Sequence, residues 1–257
     1  VQSVDLRDRS VRVRYENGSY RAQAQAAGRV ARVLSQVMPP SVETFILEPT
    51  RAGVPLSSIT LHRSDLEELE NAPDASWRML ARTQIDEAQD DSGLMPTSAA
   101  GPVFEWGISP FAELQLFDGD NPFRGDYGIQ GRIRYEIRPN LILTGTARYR
   151  LSGNRDGGTI SPSTLHPVRR NAGLYGQQDG VGLENLTLNW YGRPGDSFYS
   201  RLSVGYLERM YAGISTEILW KPVDSRLALG GELNYVVQRD YDLGFGAQDF
   251  PSIGGYY

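Results

Sequence analysis

The chain has 257 residues, enough for two domains, with a formal net charge of −5 and a sequence pI near 5.2. This acidic balance argues against nucleic acid as a partner. The sequence has no cysteine, which excludes disulfides and thiol chemistry. It also has no run of about 18 apolar residues, so no transmembrane helix is predicted.

Residues 1–90 have the pattern of a small α+β domain of the kind found in the periplasm. Residues 11–15 alternate like a strand, and the Asn17-Gly18 turn leads into apolar side chains at helical spacing over residues 20–37. The predicted buried face of this helix consists of Ala22, Ala26, Val30, Val33, Leu34 and Val37.

The rest of this domain is predicted as two strands followed by short helices. The strands cover residues 42–47 and 57–61 and flank a Gly-Pro-containing loop. Ser64 and Glu67 form a capping box, which predicts a helix that begins there, and a further helix is predicted around residues 77–88.

Residues 91–102 are rich in serine, proline and glycine and are predicted as a linker into an antiparallel sheet over residues 103–257. In that sheet, seven segments alternate apolar and polar side chains with the period of two of a strand. Strands of roughly ten residues are long enough to cross a bilayer at a tilt. The segments are 104–116, 127–137, 141–151, 186–190, 198–206, 214–220 and 225–237.

Alternation alone is also typical of a soluble β-sandwich, so the connections decide between the two architectures. Short turns on one rim and long loops on the other describe a bacterial outer-membrane barrel. The short turns are 138–140, 192–196 and 222–224, and the long connections are 118–126, 152–180 and 238 onward. The two kinds alternate along the chain, except that the connection over residues 208–212 is of modest length. The sequence therefore favours the membrane barrel, with the sandwich as the alternative.

Aromatic residues and charges support the same interpretation. Aromatic side chains fall near both ends of the predicted strands, as in the two interfacial bands of membrane barrels. On the apolar face only Glu184 introduces a charge, at the outer margin of its strand. The aromatic residues are Trp106, Tyr135, Trp190, Phe198 and Trp220 near the short turns, and Tyr127, Tyr149, Tyr206 and Tyr235 near the long loops.

The predicted barrel is partial, because a bacterial single-chain barrel has an even number of strands and at least eight. Residues 252–257 are rich in glycine and are predicted as loop rather than as a final strand. We therefore expect the chain to be a fragment whose wall is completed by further strands of the same or another chain. Since short turns face the periplasm, we expect residues 1–90 to lie in the periplasm beneath the barrel.

Charged side chains on the polar face suggest two interpretations. The first is a lumen filled and stiffened by ion pairs. The second is an arginine ladder that guides an acidic polysaccharide through bidentate contacts with carboxylates, with Tyr191 as a stacking surface for a sugar ring. The charged residues are Arg132, Arg134, Arg148 and Arg150, with Glu113, Glu136, Glu217 and Glu232.

The long connection over residues 152–180 is the predicted exterior or lumen-folding element. It carries Arg155, Arg169 and Arg170, which are candidate polysaccharide contacts, whereas a solvated loop without contacts is the alternative. Replacing the three arginines should change polymer release if they contact the polymer.

Catalytic constellations are missing from the sequence. His62 and His166 lack metal-ligand spacing, and there is no G-x-S-x-G motif for a serine nucleophile. The acidic pairs Asp90-Asp91 and Glu67-Glu68 are better explained as a solvated linker and an exposed helix face than as a glycosidase pair. We therefore predict a protein that is not an enzyme and uses no cofactor or metal.

Several runs of residues are long and specific enough to identify a family. They are DNPFR at 120–124, HPVRR at 166–170, VGYLE at 204–208, WKPVDSRLALG at 220–230 and FGAQDF at 245–250. These runs resemble the YjbH family of outer-membrane exopolysaccharide proteins. The resemblance implies a longer chain with a role in exopolysaccharide or capsule export or assembly at the outer membrane. It supplies no catalytic residues.

Together these features predict a non-enzymatic outer-membrane component of polysaccharide export, in contact with lipid and with export-machinery proteins. One alternative is an envelope scaffold whose barrel is sealed and whose N-terminal domain recruits periplasmic partners. Another is an outer-membrane enzyme that acts on polysaccharide or lipid, which the missing constellations disfavour.

Overall fold

The computed structural model describes residues 1–116, 123–154, 168–176 and 180–256. The N-terminal unit consists of β1 (Ser3–Leu6), β2 (Ser10–Glu16), α1 (Gln23–Val37), β3 (Thr44–Arg51), β4 (Val54–Pro55), β5 (Ser58–His62), α2 (Arg63–Leu69), α3 (Ala75–Arg82), β6 (Gln84–Asp86) and β7 (Met95–Pro96). Its seven-stranded sheet has the order β6-β5-β3-β2-β1-β7, and β4 pairs with β3.

Helix α1 connects the parallel strands β2 and β3 and packs on one face of this sheet. The predicted buried face is partly wrong, because Val33 and Val37 are exposed. Small side chains allow the helix to lie close to the strands, so the contact is centred on alanines. The buried helix residues are Ala26, Ala27, Ala31 and Leu34, which pack with Val11, Val13, Tyr15, Phe45 and Leu47.

The opposite face of the sheet is covered by residues 87–92. Arg12 donates to the Gln89 side chain at 3.1 Å and to the Asp90 carbonyl at 3.0 Å. Arg14 forms a 2.7 Å ion pair with the fully buried Glu48 and also contacts Asp91. These bonds satisfy charges that would otherwise be costly to bury on a sheet face.

The short helices differ from the prediction. Helix α2 begins at Arg63, directly after β5, so Ser64 does not cap it, and the Ser64 hydroxyl donates to Glu43 at 2.6 Å. Arg63 is buried and donates to carbonyls at the end of α1, including Ser35 and Met38. Helix α3 ends at Arg82 rather than near residue 88, because β6 then extends the sheet.

The second unit is one antiparallel sheet, as the alternating pattern predicts. Its strands are β8 (Val103–Leu116), β9 (Phe123–Arg138), β10 (Leu141–Gly153), β11 (Val181–Gly195), β12 (Phe198–Tyr206), β13 (Tyr211–Trp220), β14 (Leu229–Arg239) and β15 (Ala247–Tyr256). They pair in chain order. Strands β8 and β15 form the two edges, and the sheet does not close on itself within the described residues.

The prediction of seven strands and a terminal loop is wrong, because the chain forms an eighth strand, β15. Its backbone pairs with β14, where Gly254 lies opposite Asn234 and Ile253 opposite Tyr235. Glycines have no side chain to alternate, so the periodic signal is missing although the backbone can still form ladder hydrogen bonds.

The two faces of this sheet have the reverse of the usual burial. Polar residues on one face are buried, with Ser203 only 2% and Asn189 only 8% exposed. Large apolar residues on the other face are exposed, with Trp106 at 69% and Leu188 at 40%. We call these surfaces the polar face and the apolar face.

Glu184 lies on the polar face, which corrects its predicted place on the apolar one. The pairing of β10 with β11 shifts register between Thr146 and Ala147, so β11 contains one extra residue. The shift turns the Glu184 carboxylate toward Arg209, at 2.7 Å.

Within the described residues, none of the helices combines the length and apolar character needed to span a membrane.

Candidate functional site

Ion pairs connect several strands across the polar face. Arg148 on β10 lies 3.0 Å from Glu113 on β8 and 3.4 Å from Glu184 on β11. Arg209, in the connection between β12 and β13, lies 3.4 Å from Glu113. The predicted residues Arg148 and Glu113 are therefore brought together with two residues that sequence reasoning did not assign to this site.

Two further predicted arginines also have acidic neighbours. Arg134 pairs with Glu136 on its own strand and lies 3.7 Å from Glu105 on β8. Arg150 lies 3.8 Å from the buried Asp126 on β9. Both arginines therefore form ion pairs on the polar face.

Arg132 differs from these residues. It lies opposite Gly107 on β8 and Thr146 on β10, and its side chain is exposed. Within the described part of the chain it forms no ion pair. Of the four ladder arginines, it is the most available to an acidic ligand.

A third cluster joins the remaining predicted glutamates. Arg201 on β12 lies 2.9 Å from Glu217 on β13 and 3.2 Å from Glu232 on β14. Glu232 also accepts hydrogen bonds from Ser215 and Asn234. The alternation identifies Arg201 as polar-facing, but only the strand register shows that it bridges both carboxylates.

Beside this cluster lies a cavity of about 420 Å³ on the polar face. Its floor consists of small polar side chains, in which Ser203 donates to Asn189 at 2.7 Å. Thr187 of the floor also pairs with Thr144 on the adjacent strand at 2.8 Å. Val168 and Arg169 line the cavity from the side of the long connections. We call it the polar cavity.

Residues 168–176 of the predicted loop fold against the polar face, and we call them the inner segment. Tyr175 is 1% exposed and donates to the Arg239 carbonyl at 2.5 Å. Tyr211 donates to the Val168 carbonyl, and Arg169 lies 2.9 Å from Glu208. The inner segment therefore covers part of this face.

The other two predicted loop arginines have different outcomes. Arg170 begins the 3-10 turn Arg170–Gly176 within the inner segment. Arg155 lies outside the described residues.

The N-terminal unit contacts the short-turn rim of the sheet. Glu87 accepts hydrogen bonds from Arg193 at 2.8 Å, from both the backbone and the hydroxyl of Ser197, and from the Val223 backbone at 3.2 Å. One carboxylate thus connects the N-terminal unit to two short turns. Tyr199 adds a bond to the Leu56 carbonyl at 2.8 Å.

These contacts shift the titration of Glu87. Burial raises its pKa, but the hydrogen bonds from Ser197, Val223 and Arg193 outweigh burial and hold the pKa below its ordinary 4.5. The carboxylate is therefore ionised at neutral pH, as the ion pair with Arg193 requires.

Between the N-terminal unit and the rim lies a cleft of about 500 Å³. It is lined by Tyr191 and Asn140 from the sheet and by Asp90 and Asp91 from the N-terminal unit. The structure thus places Tyr191 at the short-turn end of the polar face, opposite Arg201 on β12.

Groups typical of metal sites are missing from the described residues, which contain no cluster of three or more histidine, cysteine or acidic side chains suited to a metal ion. His62 is an exposed residue at the start of α2. His166 lies outside the described residues.

Comparison with known proteins identifies relatives. The family model of YjbH, described as exopolysaccharide biosynthesis protein YbjH, matches residues 1–257. An uncharacterized lipoprotein YjbH of Escherichia coli (strain K12) is 26% identical over 231 residues, which cover 88% of this chain and 33% of the relative. The chain therefore spans about a third of that relative's length. No solved structure matches. The match along the whole chain shows that it belongs to the YjbH family.

Proposed function

We propose that the chain forms part of the wall of an outer-membrane β-barrel that serves exopolysaccharide export or assembly without catalysing a reaction. The observation that carries this proposal is the inverted burial of the sheet, in which Ser203 and Asn189 are buried while Trp106 and Leu188 are exposed. Exposed large apolar side chains along several strands are stable in lipid and unstable in water.

The position of the N-terminal unit argues against a soluble sandwich. In a sandwich, a second layer would cover the apolar face of the sheet. Here the only other folded unit of the described chain contacts the short-turn rim through Glu87 and leaves the apolar face uncovered. Short turns face the periplasm in bacterial barrels, which would put this unit in the periplasm.

The barrel needs further strands. Strands β8 and β15 are open edges of the described sheet, and open edges in lipid would leave backbone polar groups unsatisfied at several kcal/mol each. The matched relative is about three times as long as the aligned region, so its remainder is long enough to supply strands. We therefore propose that the same polypeptide or a partner chain completes the wall.

The polar face would line the interior and contact the polymer. Arg132 is exposed and forms no ion pair within the described residues, which favours it as a contact for an acidic polysaccharide. A second candidate function, a sealed envelope scaffold, is favoured by a specific observation, the inner segment packed against this face through Tyr175.

Deletion of the full-length gene separates these functions. Polysaccharide is then quantified in the periplasm and outside the cell. Export predicts polymer trapped in the periplasm and less polymer outside, restored by the wild-type gene. Unchanged amounts in both fractions would contradict a role in export and favour the scaffold. Normal release of polymer with altered length or modification would instead indicate an enzyme.

A further inference from the structure

The polar cavity differs from the rest of the polar face in the size of its side chains. Arginines and glutamates extend across much of the face and also border the cavity, but the cavity floor carries the smaller side chains Thr187, Asn189, Ser203 and Ser215. Small side chains leave the space of about 420 Å³ open, which is within the range of roughly 300–1,000 Å³ for small-molecule sites.

The two arginines that line the cavity are already paired with carboxylates. Arg201 is paired with Glu217 and Glu232, and Arg169 is paired with Glu208. A ligand carboxylate would therefore have to compete with existing carboxylates for each of these two arginines. This differs from the expectation of an acidic ligand for the arginine ladder.

Beside apolar side chains such as Leu207 and Val236, the neutral polar groups of the described lining are hydroxyls and amides held in fixed positions. Ser203, Ser215 and Asn189 are each more than nine-tenths buried and hydrogen-bond with neighbouring side chains, which fixes their orientation. Ser203 and Ser215 already donate their hydroxyl protons, but each hydroxyl oxygen can still accept a hydrogen bond from a ligand. Such preorganised neutral groups match a ligand that is rich in hydroxyls.

From these features we infer that the polar cavity binds an uncharged sugar segment of the polymer. This inference rests on the proposed function and names the ligand class of one part of the interior. Acidic sugars, if the polymer contains them, contact other parts of the face, such as Arg132.

Gly254 offers a way to fill the cavity. It lines the cavity and lies opposite Asn234, and a Cβ added there would meet nothing within 4 Å. Gly254→Leu would extend a side chain toward the ligand space from a position where its Cβ meets no neighbour. Gly107→Leu is the matched control, because Gly107 lies opposite Arg132 on the same face, also with nothing within 4 Å of its added Cβ, and does not line the cavity.

The experiment uses full-length protein in detergent micelles and the cell's own exopolysaccharide. The polymer is cut to oligosaccharides by mild acid and separated by anion exchange into uncharged and acidic fractions. Binding of each fraction is measured by titration calorimetry. We expect the uncharged fraction to bind wild type and Gly107→Leu equally, and Gly254→Leu to weaken that binding by about tenfold or more.

Gly254→Ala, a smaller filling, should lie between wild type and Gly254→Leu. Circular dichroism before and after heating checks that each variant is folded. The inference is overturned if the uncharged fraction does not bind wild type, or if it binds Gly254→Leu as well as wild type. Binding of the acidic fraction alone would also overturn it. The export assay on the deletion strain does not depend on these binding results, so it tests the proposed function separately.

Discussion

Arg209 and Glu113 lie 3.4 Å apart although their positions in the sheet are far from each other. Glu113 is on β8, and Arg209 follows β12, with three strands between. In a flat sheet with strands about 4.8 Å apart, four steps would separate them by about 19 Å. The contact therefore requires a curled sheet with the polar face on the concave side. It also requires that the β12–β13 connection, which carries Arg209, turn toward that face.

The ion pairs of Arg148 should stabilise this curvature. Arg148→Met leaves Glu113 and Glu184 with one cation fewer, so we expect a loss of about 1–3 kcal/mol in unfolding free energy. Arg132→Met on the adjacent strand is the control and should change stability little. Thermal unfolding of the full-length protein in detergent measures both. Equal effects of the two substitutions would show that the pairs of Arg148 contribute nothing specific.

Glu87 should hold the N-terminal unit against the short-turn rim. Glu87→Gln removes the charge that Arg193 and Ser197 contact, and we expect the contact to weaken by about 1–2 kcal/mol. Hydrogen exchange of the amides at Ser197 and Val223 should become faster. Glu67→Gln, an exposed carboxylate on α2, should leave these amides unchanged.

The same contact should depend on pH. The pKa of Glu87 is lowered in the folded protein, so its contribution is fully present above the ordinary pKa of 4.5 and is lost as the pH falls through the folded value. Exchange at Ser197 should thus accelerate in acid in the wild type, after correction for intrinsic rates. A wild type and a Glu87→Gln variant with the same pH profile would contradict this assignment.

Gly53 should be required where the two units touch. It has a φ of +71°, and a Cβ added there would lie 2.5 Å from the Pro139 carbonyl carbon in the β9–β10 turn. Gly53→Ala should therefore separate the units locally and cost about 1–2 kcal/mol from backbone strain alone. Limited proteolysis at the rim measures the separation. Gly18→Ala, which meets nothing within 4 Å, should behave as wild type.

The inner segment should depend on Tyr175. Truncation by Tyr175→Ala removes a buried ring and should destabilise the segment by about 3–5 kcal/mol. Trypsin should then cleave the peptide bond after Arg169 faster, because the packed segment protects this bond in the wild type. Tyr175→Phe keeps the ring and loses the hydroxyl with its hydrogen bond to the Arg239 carbonyl, so it should show a much smaller change. Equally slow cutting of all three proteins would mean that the ring does not hold the segment.

Much of this fold can be predicted from the sequence because alternation survives wherever side chains are large. Alternation predicts the strands from β8 to β14, whereas the glycines of β15 carry no such signal. A β-bulge reverses the face of every residue beyond it, so alternation places Glu184 on the wrong face. In the N-terminal unit, the alanines of α1 gave a weaker apolar signal than its exposed valines.

The site could be predicted only in part. Residue type and alternation place Arg148, Glu113 and Glu232 on the polar face, but partners depend on register and on connections. Arg209 lies in a connection without periodicity, so no pattern predicts its contact with Glu113. The polar cavity forms where small side chains on different strands lie next to each other. No pattern along a single sequence predicts that arrangement.

The central claim, that the apolar face lies in lipid, can be tested along a single strand. The chain contains no cysteine, so single cysteines at positions 186–190 of the full-length protein can each carry a spin label within this region. We would measure how often each spin label collides with two reagents in reconstituted vesicles. One is oxygen, which concentrates in lipid, and the other is a water-soluble nickel complex.

We predict high oxygen and low nickel collision rates at Leu186, Leu188 and Trp190, and the reverse balance or low rates for both at Thr187 and Asn189. Such a period of two would support a lipid-facing wall. Nickel accessibility at Leu188, or protection of Leu188 from both reagents, would contradict the account, because the apolar face would then lie in water or against protein.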